Sequence, residues 1–328
     1  MANFHNSLKI LCYTLTIKCS RTGEKEIMKT ICLLINPRSG KGNIRQHLYS
    51  IVELFHKEGW LTTVIPVAIE PDMVVQLGEQ IETFDLVVCC GGDGTLNHTA
   101  NTLLQCKNSP IAAYLPMGST NDFASTLNYS NNFLDNCKTA IQGKQAALDL
   151  GMFCKEKLFC YIAAFGAFTA VSYSTPQELK NNLGHTAYLL ESLKHLPINT
   201  SIHAVITTEQ DVIEGDFIYG SFSNSTSVGG FPSPIGKDVV LNDGKFELLL
   251  ISAPKNLNDF NSLIGCLAQQ NFSNPYIRLI QCKTVKVQFD EPVSFTLDGE
   301  YGGTVTEAQM DVLPKVLNMN LPIKAPLE

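Results

Sequence analysis

The segment Gly91-Gly92-Asp93-Gly94-Thr95 follows an apolar run and precedes a stretch with helical spacing. Glycines in such a turn let the backbone approach a ligand and adopt positive φ, and the first N–H groups of a helix carry a positive partial charge. A phosphate group is the ligand that this arrangement favours. Asp93 would repel a bare phosphate, so its presence predicts Mg²⁺ or water between the two. A turn without a ligand is the alternative for this motif taken alone.

Two further polar segments follow apolar runs in the same way. One is Asn36-Pro37-Arg38-Ser39-Gly40, and the other runs from Pro116 to Asp122. Three strand ends that present Gly, Ser, Thr and Asn can line one crevice with N–H and hydroxyl donors. Neither a Walker A motif nor a dinucleotide fingerprint occurs in these segments, so ATP would be held by another device.

The group that reacts is expected in Asp298-Gly299-Glu300, which follows the apolar run Val293–Leu297. Two carboxylates around a glycine turn can place one against a substrate hydroxyl and the other towards a metal or water. Phosphoryl transfer uses such a base on the attacking hydroxyl. A plain Asp-Gly hairpin turn is the alternative.

The elements that position these residues alternate over the first third of the chain. Apolar runs that suit buried strands are followed by stretches with helical spacing, which predicts a mostly parallel sheet with helices on both sides and ligands at the carboxyl ends of the strands. The predicted strands are Ile31–Ile35, Thr62–Val67, Asp85–Cys90 and Ile111–Leu115, and the predicted helices are Ile44–His56, Met73–Ile81 and Thr95–Leu104.

The pattern changes after about residue 149 to short alternating strands, which predicts an antiparallel sheet or sandwich. The predicted strands are Lys157–Ala164, Ile198–Thr208, Val212–Ser223, Lys245–Ser252, Thr284–Phe289 and Val293–Leu297, with helices at Thr186–His195 and Asn256–Gln270. A domain boundary is therefore expected near residues 125–150.

The segments NPRSGKG, GGDGTLNHTANTL, PMGSTNDFA and LDGEYGG together resemble the bacterial soluble diacylglycerol kinase family, in a superfamily with sphingosine and ceramide kinases. The resemblance runs from Met28 to the end of the chain. It implies an α/β protein with a Rossmann-like nucleotide domain over residues 28–140, to which residues from about 305 to 328 return. It also implies an antiparallel β-sandwich lipid domain over residues 141–304. Residues 1–27 are expected to be a dispensable N-terminal extension, and whether they belong to the native protein is left open.

The resemblance also implies a set of site residues. Asp93 and Asp122 would organise Mg²⁺ and water near the phosphates, and one of Asp298 and Glu300 would accept the proton. The residues expected to contact ATP are Asn36, Pro37, Arg38, Ser39, Gly40, Thr62 or Thr63, Gly91, Gly92, Asp93, Gly94, Thr95, Asn97 and Thr120.

A second Asp-Gly pair lies in Asn242-Asp243-Gly244-Lys245. Diacylglycerol kinases of this family carry a similar stretch, and the resemblance implies a structural Mg²⁺ bound by the Asp243 carboxylate and the carbonyls of Val240 and Lys245. Oxygen ligands suit this hard cation. Asn242 departs from the family in standing where an acid is common, and a hairpin turn is the alternative.

Composition limits the partners and the location. With 24 Lys and Arg against 31 Asp and Glu, the net charge of −7 does not favour a nucleic-acid surface. Eleven cysteines without a CxxC motif indicate a reducing compartment, and no signal peptide or membrane span is visible. We therefore expect a cytoplasmic protein that touches the inner face of the membrane transiently and peripherally, with a homodimer left open.

These observations predict an ATP-dependent lipid kinase that converts diacylglycerol to phosphatidic acid. Kinases of phosphatidylglycerol or of sphingoid bases remain alternatives, because the shared motifs do not encode the acceptor pocket. NAD kinase also uses GGDGT, but PMGSTNDFA and LDGEYGG match the lipid kinases instead. A non-catalytic nucleotide-binding regulator is disfavoured because the acids at positions 93, 122, 298 and 300 are retained.

Overall fold

The computed structural model describes residues 17–19, 25–39, 44–67, 77–118, 121–167, 201–228, 231–232, 239–268 and 273–328. The strands within these ranges are β1 (Ile17–Cys19), β2 (Lys25–Ile27), β3 (Lys29–Ile35), β4 (Trp60–Pro66), β5 (Leu86–Gly91), β6 (Ile111–Pro116), β7 (Lys144–Phe153), β8 (Lys157–Phe159), β9 (Ile162–Gly166), β10 (Ile202–Thr208), β11 (Val212–Ser223), β12 (Ser227–Val228), β13 (Phe231–Pro232), β14 (Phe246–Ser252), β15 (Ile277–Cys282), β16 (Thr284–Leu297) and β17 (Glu300–Leu321). The helices are α1 (Ile44–Lys57), α2 (Gly78–Ile81), α3 (Asp93–Gln105), α4 (Asp122–Thr126), α5 (Phe133–Gln142) and α6 (Leu257–Ala268). None of the described helices is long and apolar enough to cross a membrane.

The parallel part of the sheet has the order β4, β3, β5, β6, and each neighbouring pair is parallel. Its central strands are buried on both faces. Cys32 and Leu34 pack in one core with Leu96 of α3, whereas Leu33 packs in the opposite core with Phe55 of α1. This double burial explains why β3 and β5 are continuous apolar runs in the sequence.

β17 joins this parallel sheet to the antiparallel strands. Its first half pairs with β16, and near its end Met319 lies beside Ala112 of β6 in a parallel pair. One sheet of 13 strands therefore runs through the described part of the chain. The fold is mixed α/β and rich in strands, while the sandwich arrangement and the domain limits stay predictions.

The antiparallel region has a core of its own. Four phenylalanines of this core, Phe153, Phe165, Phe289 and Phe295, form a contiguous set of ring contacts with centroid distances from 4.9 to 5.9 Å. β14, β11, β10, β9 and β16 surround these rings, so aromatic packing holds the turn that follows β16 in a rigid frame.

The predicted elements differ from the structure in a few places. The predicted strand Lys157–Ala164 is wrong as a single element, because the chain breaks at positions 160–161 between β8 and β9. Conversely, the two strands predicted from residue 284 to residue 297 form one strand with an irregular pairing between Gln288 and Val293. The sequence analysis missed α4, α5, β7, β15, β17 and the short strands β1, β2, β12 and β13. Helix Thr186–His195 lies outside the described residues, as do residues 73–76 of the predicted helix Met73–Ile81, whose last four residues form α2.

Candidate active site

Three loops meet at the carboxyl ends of β3, β5 and β6. The side-chain amide of Asn36, after β3, donates to Thr95 Oγ1 at 3.1 Å. The N–H of Met117, after β6, donates to the carbonyl of Gly91 at 2.7 Å. The structure therefore brings together the polar segments that the sequence placed at separate strand ends.

Close contact explains the glycines of the GGDGT loop. A Cβ atom on Gly91 would overlap the Thr95 side chain, and one on Gly92 would lie 3.2 Å from the Gly118 Cα atom. The expectation of positive φ in this loop is wrong, since Gly91, Gly92 and Gly94 have none. These positions need glycine because neighbouring groups fill the space of a side chain, and no left-handed backbone is involved.

The N-terminus of α3 is open to an anion. Gly92 is its N-cap residue, and no side chain caps the first turn. The first N–H groups of a helix have no partner within the helix and carry a positive partial charge. The geometry fits a phosphate group at this point.

Asp93, which is partly buried, and the buried Asp122 form an acidic pair beside this helix end. The Asp93 carboxylate accepts hydrogen bonds from the N–H groups of Asp122 at 3.0 Å and Phe123 at 3.3 Å. Burial and the neighbouring Asp122 charge raise the pKa of Asp93 to about 7, and Asp298 adds to this rise. A carboxylate whose pKa is raised by neighbouring negative charge fits a site completed by a cation.

Asn121 is a structural residue of the site that sequence analysis did not single out. Its φ of 53° places it in the left-handed region, which Asn tolerates better than most residues. Its Oδ1 accepts from the Gly118 N–H at 2.8 Å, and its Nδ2 donates to the Gly118 carbonyl at 2.9 Å. Asn121 thereby closes the loop that leads from β6 into α4. Its position within GSTND was the available signal.

Asp298 and Gly299 form the two-residue turn of the hairpin between β16 and β17. Their φ angles are 50° and 86°, and Leu297 pairs with Glu300 across the turn. Positive φ at both positions is the reason that Asp-Gly is favoured in such hairpins. The hairpin geometry is therefore confirmed, with Asp298 in the turn and Glu300 at the start of β17, and the role of the two acids stays a prediction.

The Asp298 carboxylate is buried and fully hydrogen-bonded. Its Oδ2 accepts from the Cys160 N–H at 2.6 Å and the Asn97 Nδ2 at 2.7 Å. Its Oδ1 accepts from the N–H groups of Tyr161 at 3.0 Å and Ile162 at 3.1 Å. Burial raises the pKa of Asp298, and these four hydrogen bonds oppose the rise. An ionised carboxylate has about four acceptor positions, and all of them are occupied.

Glu300 differs from Asp298 in exposure and in what it faces. Its side chain is exposed. A Cβ atom built on Gly94 would lie only 2.6 Å from Glu300 Oε1, so this carboxylate sits against the first turn of α3. The hairpin thus carries one acid locked inside the protein and one acid presented at the open helix end.

The remaining residues expected to contact ATP are placed as follows. Thr62 and Thr63 lie in the middle of β4, with the Thr62 Oγ1 buried and without a hydrogen-bond partner in the described part of the chain. Arg38 is exposed. Pro37 and Ser39 belong to the turn after β3, where the Ser39 N–H donates to the Asn36 carbonyl at 3.1 Å. Gly40 and Thr120 lie outside the described residues.

The second Asp-Gly pair forms a local turn in which Asp243 Oδ1 accepts from the Lys245 N–H at 2.9 Å. Two acids that sequence analysis missed lie nearby. Asp149 accepts from the Gly244 N–H at 2.6 Å. Glu247 is buried, with Oε2 lacking a partner among the described residues, and burial raises its pKa to about 7. The charge of Asp243 adds to that rise.

This cluster offers the oxygen donors that a hard cation prefers. The carbonyl-bearing residues Val240 and Lys245 flank Asp243 in the same loop. Within the described ranges, however, no three or more His, Cys, Asp and Glu side chains are grouped so that they could hold a metal ion. A magnesium ion here would depend on backbone carbonyls and water for most of its ligands.

Comparisons with known proteins agree with this architecture. The family model for the diacylglycerol kinase catalytic domain matches residues 30–153. A diacylglycerol kinase from Bacillus subtilis (strain 168) is 31% identical over 279 residues, which cover 84% of this chain and 91% of that protein. One from Staphylococcus saprophyticus is 27% identical and covers 83% and 88% of the two chains.

A solved structure has a similar fold. It is a crystal structure of a putative diacylglycerol kinase from Bacillus anthracis str. Sterne. The two structures superpose with a TM-score of 0.78 at 21% sequence identity, and the match covers 93% of this chain and 99% of that chain. The chain belongs to the diacylglycerol kinase family. By that membership it is a lipid kinase.

Proposed function

We propose that this lipid kinase transfers the γ-phosphoryl group of ATP to the free hydroxyl of diacylglycerol and so forms phosphatidic acid. The observation that carries the proposal is the position of Glu300, whose exposed carboxylate lies against Gly94 at the open N-terminus of α3. A proton acceptor and a phosphate-binding element are thereby adjacent. The diacylglycerol acceptor follows from the names of the relatives.

The loops after β3, β5 and β6 would hold the nucleotide. The uncapped N–H groups of α3 would bind its phosphates, and the exposed Arg38 would offset their negative charge. Asp93 and Asp122 would hold Mg²⁺, directly or through water, because their mutual repulsion is relieved by a cation. Such an ion supplies neutralisation of the charge on the phosphoryl oxygens.

Glu300 would accept the proton of the attacking hydroxyl. The hydroxyl oxygen forms a bond to the γ-phosphorus, the bond from that phosphorus to the oxygen of the ADP leaving group breaks, and the hydroxyl proton passes to the Glu300 carboxylate. Asp298 is unsuited to this role, since four N–H donors occupy its oxygens. The geometry therefore favours Glu300 between the two acids that the sequence left open.

A second magnesium ion is proposed at Asp243, with the carbonyls of Val240 and Lys245. The support is the buried Glu247 Oε2, which has no partner in the described ranges and lies close enough to Asp243 for their charges to interact. An ion here would stabilise the loop before β14. It lies outside the proposed route of the proton.

The lipid acceptor resides in a bilayer, so the reaction requires contact with a membrane surface. We propose that this contact is transient and peripheral, because the net charge of −7 disfavours a broad polybasic anchor to anionic lipids.

The test is a phosphorylation assay with purified protein, Mg²⁺ and ATP against diacylglycerol, phosphatidylglycerol and sphingosine in mixed micelles, with NAD as a further acceptor. Diacylglycerol should be the preferred acceptor. Glu300→Gln should lower kcat by about 10²-fold or more, because the base is lost. Glu307→Gln is the matched control, an isosteric change of an exposed acid on the same strand, and should keep normal activity.

Two results would contradict the proposal. Full activity in Glu300→Gln with a folded protein would remove Glu300 as the proton acceptor. Phosphorylation of sphingosine, phosphatidylglycerol or NAD well above that of diacylglycerol would show that the compound concerned, and not diacylglycerol, is the acceptor.

A further inference from the structure

Two asparagines on successive turns of α3 form a series of side-chain hydrogen bonds that ends on Asp298. Asn101 Nδ2 donates to Asn97 Oδ1 at 2.8 Å and to the Asn97 carbonyl at 3.1 Å. Asn97 Nδ2 donates to Asp298 Oδ2 at 2.7 Å and to the Leu158 carbonyl at 3.1 Å. The Asn97 amide thus has both its oxygen and its nitrogen engaged within the protein.

This series of hydrogen bonds connects the parallel and the antiparallel regions of the molecule. Asn97 belongs to the helix that follows β5 in the parallel sheet, whereas Leu158 lies on β8 and Asp298 follows β16 in the antiparallel region. The break between β8 and β9 turns the N–H groups of Cys160 and Tyr161 towards the same carboxylate. Asp298 is therefore the point where the helix, the β8–β9 break and the hairpin turn are joined.

The connection also sets the place of Glu300. Gly94, which Glu300 contacts, and Asn97, which binds Asp298, are three positions apart and so lie on the same side of α3. Asp298 and Glu300 are two positions apart around the tight turn. The helix and the hairpin therefore touch at two neighbouring points, one structural and one at the open helix end.

We infer that Asn97 is a positioning residue, which acts through Asp298 to hold Glu300 against the first turn of α3. This inference rests on the proposed function, in which Glu300 is the proton acceptor. It replaces the expectation that the Asn97 side chain contacts ATP, because that amide is occupied by Asp298, Leu158 and Asn101. Asn101 contributes by orienting the amide.

The test measures kcat and the KM for ATP in Asn97→Ala, Asp298→Asn and the double variant. Asn97→Ala should lower kcat roughly 10-fold and leave the KM for ATP unchanged, because a misplaced base slows transfer without weakening nucleotide binding. In the double variant kcat should equal that of Asp298→Asn alone. Gln105→Ala, an exposed change at the end of the same helix, is the control and should match the wild type.

Two additional variants keep the test decisive. Asn101→Ala removes only the group that orients the amide, so it should lower kcat by a smaller factor even if Asn97→Ala folds poorly. Asn97→Ala placed on Glu300→Gln should cause no further loss of kcat, since there is no longer a base to position.

The outcomes separate the inference from the proposed function. A raised KM for ATP with unchanged kcat, or losses that multiply in the double variant, would show that Asn97 acts independently of Asp298 and would overturn the inference. Normal kcat in both Asn97→Ala and Asn101→Ala would also overturn it while Glu300→Gln remains impaired. Full activity in Glu300→Gln would instead contradict the proposed role of Glu300 itself.

Discussion

The two Asp-Gly turns of this chain share a glycine with positive φ, but they differ at the aspartate, whose φ is positive at Asp298 and not at Asp243, and in their surroundings. Gly299 and Gly244 both adopt positive φ, at 86° and 77°. Asp243 bonds to the N–H of Lys245, two residues ahead. Asp298 bonds to groups that lie 136 to 201 positions earlier in the chain. The same dipeptide therefore makes a local turn at one place and joins two regions of the protein at the other.

The same comparison of surroundings distinguishes the two acids of the Asp298-Gly299-Glu300 motif. Asp298 has 6% of its surface exposed and a partner for every acceptor position, so it holds structure. Its neighbour Glu300 is exposed and faces the helix end. Of the two carboxylates, only that of Glu300 is therefore accessible for the proposed role of proton acceptor.

Loss of the Asp298 carboxylate should give the largest change in stability. Asp298→Ala removes the acceptor of four hydrogen bonds and leaves buried donors unpaired, so the free energy of unfolding should fall by about 3 kcal/mol. Urea denaturation monitored by circular dichroism measures this. A change below about 1 kcal/mol would show that the two Asp-Gly turns are equivalent in stability.

Asp243→Ala should have a smaller effect that depends on Mg²⁺. An ion that binds only the folded protein stabilises it according to its concentration, so removal of a ligand should abolish the rise in Tm that Mg²⁺ produces in the wild type. Without Mg²⁺ the variant should differ from the wild type by about 1 kcal/mol or less. Asp298→Ala is the comparison, because its loss should persist at every Mg²⁺ concentration.

The proposal of an ion at Asp243 depends on that titration. If the Tm of the wild type does not respond to Mg²⁺, or if Asp243→Ala keeps the full response, the second Asp-Gly pair is only a turn.

The smallest effects are expected from the two glycines, and they should be alike in stability. Gly299→Ala and Gly244→Ala each force an L-residue into the left-handed region without a close clash, so each should cost about 1 kcal/mol. Only Gly299→Ala should also lower kcat, because its turn delivers Glu300. Thermal unfolding and the lipid kinase assay together measure both effects, and equal loss of kcat in the two variants would contradict the distinction.

Local patterns predicted the parallel region well. The four predicted strands became β3, β4, β5 and β6 with ends that differ by at most two residues. Strands buried on both faces are continuously apolar, which explains β3 and β5, whereas β4 is a partly exposed edge strand. Helices α1 and α3 were predicted from apolar residues at helical spacing, because the face of a helix that packs on the sheet must be apolar. The antiparallel region was harder: β17 was missed although its buried residues alternate with polar ones over residues 308–310 and 317–321, because residues 311–316 between these two stretches break the pattern.

The break between β8 and β9 shows why local pattern was insufficient there. Residues 157–164 are apolar enough for one strand, yet the N–H groups at positions 160–162 point to a carboxylate far along the chain. Backbone donors must find acceptors when buried, and here the acceptor comes from another element. A window of neighbouring residues contains no information about that partner.

The sequence by itself determined the motifs, their placement at the ends of strands and the presence of two Asp-Gly turns, because apolar periodicity and the conformational freedom of glycine act over a few residues. Only the tertiary structure decided the environment of each acid. The Asp298 carboxylate accepts hydrogen bonds from Asn97 and from N–H groups at the β8–β9 break, whereas the Glu300 carboxylate lies near Gly94. Burial and hydrogen bonding depend on groups brought together from distant parts of the chain, and those groups make one carboxylate structural and leave the other available for chemistry.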